Sequence, residues 1–467
     1  MSDSKFNFGL VGLGVMGRNF ILNVADKGFS VSGLDLDSEK VESLKSEGQK
    51  REVFATSDKT EFIESLSSPR KIMLLVPAGK PVDSVIADLK PLLNQGDIII
   101  DGGNSFFTDT DRRFEELAKE GIHFFGSGVS GGSKGARKGP SIMPGGDENA
   151  YEHIRPIFEA ASAKVNGEPC VAHLGRGSAG NYVKMVHNGI EYAMMQLIAE
   201  TYDLMKTGCG LNNSEIHETF KGWNEGRLRS FLIEITASIF NQKDDLSEGD
   251  LIDQILDKGK QKGTGKWTSQ NAMDLGIPIP TIDAAVSMRE ISGLKDLRKI
   301  VDAKYNAEKR SNLDVTVEDL EALLYFSFIM SYAQGMHMLF HASREYKYDL
   351  DLEVISKIWR GGCIIRADIL EQMRKAYDSN VQLEHLLTDD WFIDTVSVLT
   401  PQVRKTISKV IESGIPSTAL VSTLNYFNSF TSGRLPMNLV QAQRDHFGSH
   451  TYERLDREGV FHTEWED

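Results

Sequence analysis

Five short apolar runs in the first 130 residues, FNFGLVGL, SVSGLDLD, KIMLLVP, DIIIDGG and IHFFGSGVS, each close at a Gly, Pro or Asp turn, with stretches of helical periodicity between them. Strands separated by helices pair in parallel through crossovers, so this rhythm predicts a doubly wound, mainly parallel α/β sheet of Rossmann type. From about Gly180 the strand signal fades and long helical patterns take over. A chain of 467 residues exceeds one ordinary core. We therefore expect a Rossmann domain over residues 1–179, a large all-α domain over 180–434 and a tail over 435–467 that packs on something else. Within the helical part, GWNEGRLRSFLIE around Trp223 is echoed by IWRGGCIIRADILEQ around Trp359, each after a long apolar helical pattern, residues 181–206 and 318–342. This reads as duplication of a helical unit, with chance recurrence of a Trp-x-x-Gly step as the alternative.

The formal net charge of −15 argues against nucleic acid as a partner, because a phosphate backbone needs a basic footprint. A small anion would need a local cluster of Lys and Arg. Cys170, Cys209 and Cys363 are odd in number and lack a CxxC, which suggests neither a disulfide framework nor zinc. No other cluster with metal-ligand spacing stands out, so no metal is expected. The thiols fit a reducing cytoplasm. The start, MSDSKFNFGLVGL, enters a strand pattern at once and leaves no room for a signal peptide. No apolar stretch is long enough to span a bilayer.

Gly12-Leu-Gly14-Val15-Met16-Gly17 lies between the strand pattern FNFGLV and the helical stretch RNFILNVADKG. Glycines there permit a tight turn and bring backbone close to a pyrophosphate at the positive end of the helix. The second strand ends in Asp35-Leu36-Asp37, at the right distance for the carboxylate that accepts from an adenosine ribose hydroxyl. A carboxylate favours the 2′-hydroxyl of NAD over the 2′-phosphate of NADP, and the nearest downstream cation is Lys40. The competing reading makes one of the two Asp residues a helix N-cap.

In Lys184-Met-Val-His187-Asn188-Gly-Ile-Glu191-Tyr192, helical spacing puts Lys184, His187 or Asn188, and Glu191 on one stripe. Beside it, Val183, Val186, Ile190, Ala193, Leu197, Thr201 and Leu204 form an apolar face. An amine and a carboxyl held within reach of one ligand, with pKa values drawn toward neutrality by burial, suit acid–base catalysis. The plain alternative is a surface helix with solvated Lys and Glu.

With these motifs, the runs GVSGGSKGARKGPSIMPGG, VKMVHNGIEY and QKGTGKWT and the tail LPMNLVQAQRDHFGSHTYERLDREGVFHTEW resemble the long-form, decarboxylating 6-phosphogluconate dehydrogenases across essentially the whole chain. The resemblance implies a homodimer in which each tail reaches the partner subunit, and oxidation and decarboxylation of 6-phosphogluconate to ribulose 5-phosphate. Lys184 would be the general base and then acid, and Glu191 the second acid. Ser130, Gly131 and Gly132 would meet the substrate carboxylate with His187 and Asn188. Tyr192, Lys262, Thr264 and Arg289 would hold the phosphate, joined by Arg444 from the other subunit's tail, with His450 of that tail as a further contact. Asn104, after the fourth expected strand, would lie between nicotinamide and sugar. Gly12, Gly14, Val15, Met16, Gly17, Asp35, Leu36, Asp37, Val76 and Ala78 would line the dinucleotide.

Several positions depart from the family pattern. Leu36 stands where NADP-linked members carry an Arg that grips the 2′-phosphate, and Pro77 replaces a Lys, so NAD is expected to be preferred with NADP still possible. Lys138, Asn181 and His446 replace a Tyr, a His and a Tyr. Two other functions compete: a β-hydroxyacid dehydrogenase acting on a smaller acid, which would not need Lys262, Arg289, Arg444 or the tail, and a catalytically silent dimeric paralogue, which would not need Lys184 and Glu191.

Overall fold

The computed structural model describes residues 5–305 and 313–465. Its main sheet has seven strands: β1 (Phe8–Val11), β2 (Val31–Leu34), β3 (Val53–Thr56), β4 (Lys71–Leu74), β5 (Ile98–Asp101), β6 (His123–Ser130) and β7 (Ser141–Gly145). They lie in the order β3-β2-β1-β4-β5-β6-β7, with β1 to β6 parallel and β7 antiparallel to β6. Ile98, Ile99 and Ile100 are all fully buried, because helices cover both faces and a strand between them must be apolar throughout. On one face Phe20 and Phe158 meet edge to face at 6.4 Å.

Two strands of this sheet escaped the sequence reading. VFAT in β3 begins with two partly exposed residues at the sheet edge, and SIMPG in β7 ends in Pro144-Gly145, so neither is a conventional apolar run. The correction shifts the count: Val76 and Pro77 follow the fourth strand, and Asn104 follows the fifth.

Two long helices, Ala179–Asp203 and Val317–Glu345, form the centre of the helical part. The expected apolar face from Val183 to Leu204 is buried, but burial goes further, and every residue from Ala179 to Ile190 is covered. Such a helix must be enclosed on all sides. Its start abuts the sheet, Gly180 lying beside the Met143 and Gly126 carbonyls. Further along, the second long helix crosses it where Gly335 faces Ile190.

The expected duplication is visible in the order of elements. Each long helix is followed by a shorter one (Asn213–Trp223, Leu352–Ile358), a turn beginning at Trp223 or Trp359, and a third helix (Phe231–Phe240, Ile369–Ser379). The two turns clasp one another: Phe231 N–H donates to the Arg366 carbonyl and Asp368 N–H to the Arg229 carbonyl, both at 3.0 Å.

The tail is more ordered than its sequence suggests, with a helix, Met437–Gly448, and a small hairpin pairing Tyr452–Glu453 with Val460–Phe461. Asp445 ties them together. Its buried carboxylate accepts from the backbone N–H of Thr451 (2.8 Å) and Thr463 (3.0 Å), from His462 Nδ1 (2.9 Å) and from Trp465 Nε1 (3.0 Å). Burial alone would raise its pKa, but these four donors outweigh burial and hold it well below the usual carboxylate range. Leu435, Met437, Leu439, Val440 and Phe447 remain exposed on this unit. Among the described residues no helix is long and apolar enough to cross a membrane.

Candidate active site

The loop after β1 fits a dinucleotide pyrophosphate. Gly12 has φ +97°, and a Cβ there would press on the Leu75 carbonyl at 2.6 Å. A Cβ on Gly17 would collide with the Gly12 carbonyl oxygen, so this glycine lets helix Val15–Asp26 lie close on the strand. Gly14 faces open space at the helix start, while Val15 is exposed and Met16 partly so. Backbone N–H groups at a helix N-terminus with no side chain in front of them form an anion cradle. Leu13 N–H donates to Asp35 Oδ2 (2.7 Å), placing that carboxylate directly beside the cradle.

The two Asp residues divide the roles left open by the sequence. Asp37 is the N-cap of helix Ser38–Glu47, accepting from Glu39 N–H at 3.0 Å. Asp35 holds the turn, its Oδ1 accepting from Asp37 N–H at 3.0 Å. Lys40 folds back over both, 3.6 Å from Asp35 and 3.3 Å from Asp37. Leu36 is 93% exposed at the tip. Val76 borders the same loop, within 3.0 Å of the position a Gly12 Cβ would take, and Ala78 follows it, exposed, beyond Pro77.

Asn104 is exposed in a loop set by a buried group that the sequence reading missed. Asp101 Oδ1 accepts from Gly103 N–H (3.0 Å) and its Oδ2 from Ser105 Oγ (2.6 Å), with Arg113 3.4 Å away. The signal was present, since an Asp closing an Ile-rich strand must find donors. Asn181 explains one departure. Its Nδ2 donates to the Gly103 carbonyl (3.2 Å) and its Oδ1 accepts from Thr110 Oγ1 (3.0 Å), so helix Ala179–Asp203 is tied to the loop carrying Asn104.

Helix Ala179–Asp203 presents the acid–base stripe. Lys184 Nζ lies 3.2 Å from His187 Nδ1, which is 3.1 Å from Asn188 Oδ1 and 3.9 Å from Glu191 Oε2. His187 Nε2 lies 3.2 Å from Ser130 Oγ at the end of β6. A neutral imidazole carries one N–H, so His187 either accepts at Nδ1 from Lys184 or donates there to Asn188. Lys184 is buried, against the surface-helix alternative, and burial lowers its pKa while Glu191 works to raise it. Burial raises Glu191, opposed by Lys184 and Arg289. Burial and the neighbouring Lys184 hold His187 well below its usual value.

Trp359, noticed in the sequence only as a repeat marker, stands edge-on to His187 at 5.5 Å. Gly131 has φ +108°, and a Cβ there would strike the Gly362 carbonyl oxygen, so the β6 loop is seated against the second repeat. Ile364 N–H, from that repeat, lies 3.4 Å from Ser130 Oγ. Gly132 opens to free space and leaves its backbone accessible.

At Tyr192, the residue after Glu191, the Arg289 guanidinium lies 3.5 Å from the ring centroid. Gly265 packs on the same ring from helix Thr264–Leu275, which begins at Thr264 after the left-handed Gly263. Lys262 is exposed just before that N-terminus. A cation, a phenol, a hydroxyl and a helix N-terminus thus gather at one end of the stripe, the donor set a phosphate requires.

The tail residues are not brought to this site within one chain. Arg444 donates to Gln441 Oε1 (3.1 Å) and His450 packs on Phe447 at 5.9 Å, both inside the tail. His446 packs its ring on Trp465 at 5.6 Å, which accounts for that departure as tail packing. Lys138 is exposed at the end of helix Gly132–Lys138, and nothing in the structure explains it.

Residues 7–175 match the family described as the NAD binding domain of 6-phosphogluconate dehydrogenase, and residues 180–465 match 6-phosphogluconate dehydrogenase, C-terminal domain. The chain is 49% identical over 471 residues to a decarboxylating 6-phosphogluconate dehydrogenase of Lactococcus lactis, covering 99% of each. It is also 49% identical over 466 residues to a decarboxylating, NADP(+)-dependent one of Bacillus subtilis, again covering 99% of each. A solved structure of Plasmodium falciparum 6-phosphogluconate dehydrogenase superposes with a TM-score of 0.95 at 44% identity, covering 98% of this chain and 100% of that one.

Proposed function

This chain belongs to the 6-phosphogluconate dehydrogenase family as an NAD(P)-dependent, decarboxylating oxidoreductase, and we propose how its own residues carry the reaction and which dinucleotide it prefers. The substrate is 6-phospho-D-gluconate and the products are D-ribulose 5-phosphate and carbon dioxide. The observation that carries the mechanism is the buried stripe of Lys184, His187 and Glu191 on one helix.

The bound dinucleotide supplies the acceptor for the hydride from C3. Lys184, its pKa lowered by burial, reaches the neutral form and takes the C3 hydroxyl proton. The resulting ammonium polarises the new C3 carbonyl while the carboxylate leaves as carbon dioxide, giving an enediol. His187 holds the Lys184 amine through Nδ1, and with Ser130, Asn188 and the Gly131-Gly132 backbone it orients the substrate carboxylate. Glu191, kept protonated by burial, delivers a proton to C1 and completes the ketone. Tyr192, Thr264, Lys262 and Arg289 hold the phosphate, and Arg444 and His450 complete the site from the partner's tail in a homodimer.

NAD is the preferred acceptor in this reading. Asp35 stands beside the pyrophosphate cradle, where a ribose hydroxyl can donate to it, and Leu36 offers no charge to a 2′-phosphate. Lys40, 3.6 Å from Asp35, is a cation that could oppose this preference. The test is kcat/KM for 6-phosphogluconate with NAD and with NADP, following carbon dioxide beside reduced dinucleotide, in the wild type and in Lys40→Ala. A wild-type ratio favouring NAD is expected. A ratio favouring NADP that Lys40→Ala abolishes would overturn the preference and assign the 2′-phosphate to Lys40.

A further inference from the structure

The second long helix carries a cluster that the reaction does not use. His337 and His341 stand one turn apart on Val317–Glu345, so their rings leave the same face of the helix. Glu384 reaches them from the loop between helices Ile369–Ser379 and Asp390–Ser413. One ligand atom from each of the three lies within 4.8 Å of the other two. His341 Nε2 and Glu384 Oε1 are 3.1 Å apart, and the two imidazole centroids are 4.6 Å apart. A tetrahedral ion with bonds of about 2.1 Å spaces its ligands about 3.4 Å from one another. One edge of that tetrahedron is therefore nearly formed, and the remaining edges among these three ligands are no longer than 4.8 Å.

The surroundings favour ligation over a chance meeting. His337 Nδ1–H donates to the Glu384 carbonyl (3.1 Å), which leaves Nε2 with its lone pair free. A second hydrogen bond of this kind orients a metal-bound imidazole. The neighbouring His385 is engaged at both nitrogens, Nδ1 accepting from Leu387 N–H (3.1 Å) and Nε2 bonding Tyr426 OH (2.8 Å), so it is not a ligand. Arg344, the cation nearest in sequence, is drawn onto the Phe340 ring (4.1 Å) and toward Gln382. Exposure rises from buried His337 through His341 to exposed Glu384, so a fourth position opens to water.

We propose that His337, His341 and Glu384 form a binding site for a divalent transition-metal ion of zinc type, which clamps the loop around Glu384 to the central helix. Two imidazoles and one carboxylate suit zinc, cobalt, nickel or copper, whereas magnesium and calcium prefer all-oxygen sets. The sequence reading found no metal cluster because the third ligand lies more than 40 residues from the His-x-x-x-His pair.

The full-length protein, stripped with chelator, is titrated with Co2+ as a visible probe at fixed pH. The expected result is one ion per chain with the absorption of a four-coordinate site, displaced by Zn2+ and unaffected by excess Mg2+. Both His341→Ala, at a partly exposed position, and Glu384→Gln, at an exposed one, lie outside the catalytic machinery and should weaken Co2+ at least about tenfold and abolish the Zn2+-dependent rise in Tm. Turnover of 6-phosphogluconate should be unchanged in both. Binding of equal strength in the wild type and both variants would place the ion elsewhere and overturn the proposal, as would no binding at all.

Discussion

At the level of single residues, Lys184 and Glu191 have opposite pKa shifts from one cause, burial. In the proposed mechanism the reactive enzyme needs Lys184 without its proton and Glu191 with one. Raising the pH from the acid side frees Lys184 and increases kcat/KM, and a further rise strips Glu191 and decreases it, so the profile is a bell. Glu191→Gln keeps the first requirement and removes the second. We expect that variant to turn over more slowly and to rise to a plateau with no alkaline fall; a surviving alkaline limb would take the acid role from Glu191. Lys184→Met should reduce kcat by about 10²–10⁴ while equilibrium binding of 6-phosphogluconate, measured by calorimetry, changes little. Helical spacing alone put these two groups on one stripe. Asn181 could not be read in the same way, because its partners Gly103 and Thr110 lie some 70 residues away and only the folded crossing brings them together.

At the level of elements, strong periodicity was legible and mixed chemistry was not. The two long helices fell close to the residues expected, since each carries many turns of apolar residues. Strands β3 and β7 were missed because edge exposure in one and Pro144-Gly145 in the other erase the pattern. The tail helix was missed because its apolar residues stay mostly exposed and mark no buried face. Burial of the catalytic helix on all sides was also hidden, since the covering surface belongs to the sheet and the second repeat. Gly335 shows how tightly that cover fits: a Cβ there would collide with Ile190, the residue before Glu191. Gly335→Ala would gain about 1 kcal/mol of helix propensity but overpack a fully buried crossing at a cost of roughly 1–3 kcal/mol. Stiff, branched Ile190 cannot swing aside without moving its own helix. We expect a lower urea midpoint together with a lower kcat. An unchanged or raised midpoint would show that the two helices part freely at this point.

For the molecule as a whole, a chain of net charge −15 must bind a sugar acid that carries both a carboxylate and a phosphate. In the proposed site it does so by segregating charge. Lys258, Lys260, Lys262 and Lys266 crowd the approach to helix Thr264–Leu275, where Arg289 and Tyr192 wait. The proposed site would still lack Arg444 and His450, which this chain holds on a tail whose hydrogen bonds close on themselves around Asp445. An isolated chain exposing Leu435, Met437, Leu439 and Val440 beside such a unit has a surface that calls for cover. In a twofold dimer each tail would complete the partner's site. Lys184→Ala and Arg444→Ala would then each silence a homodimer for different reasons. Mixed and allowed to exchange subunits, the two inactive proteins should regain activity, because one site of each heterodimer pairs an intact Lys184 with an intact Arg444 from the other chain. Random exchange at equal amounts would restore about a quarter of the wild-type rate. Tails that served their own chain's site would restore nothing, since every site would then carry one of the two lesions, and the shared-site reading would fail on that result.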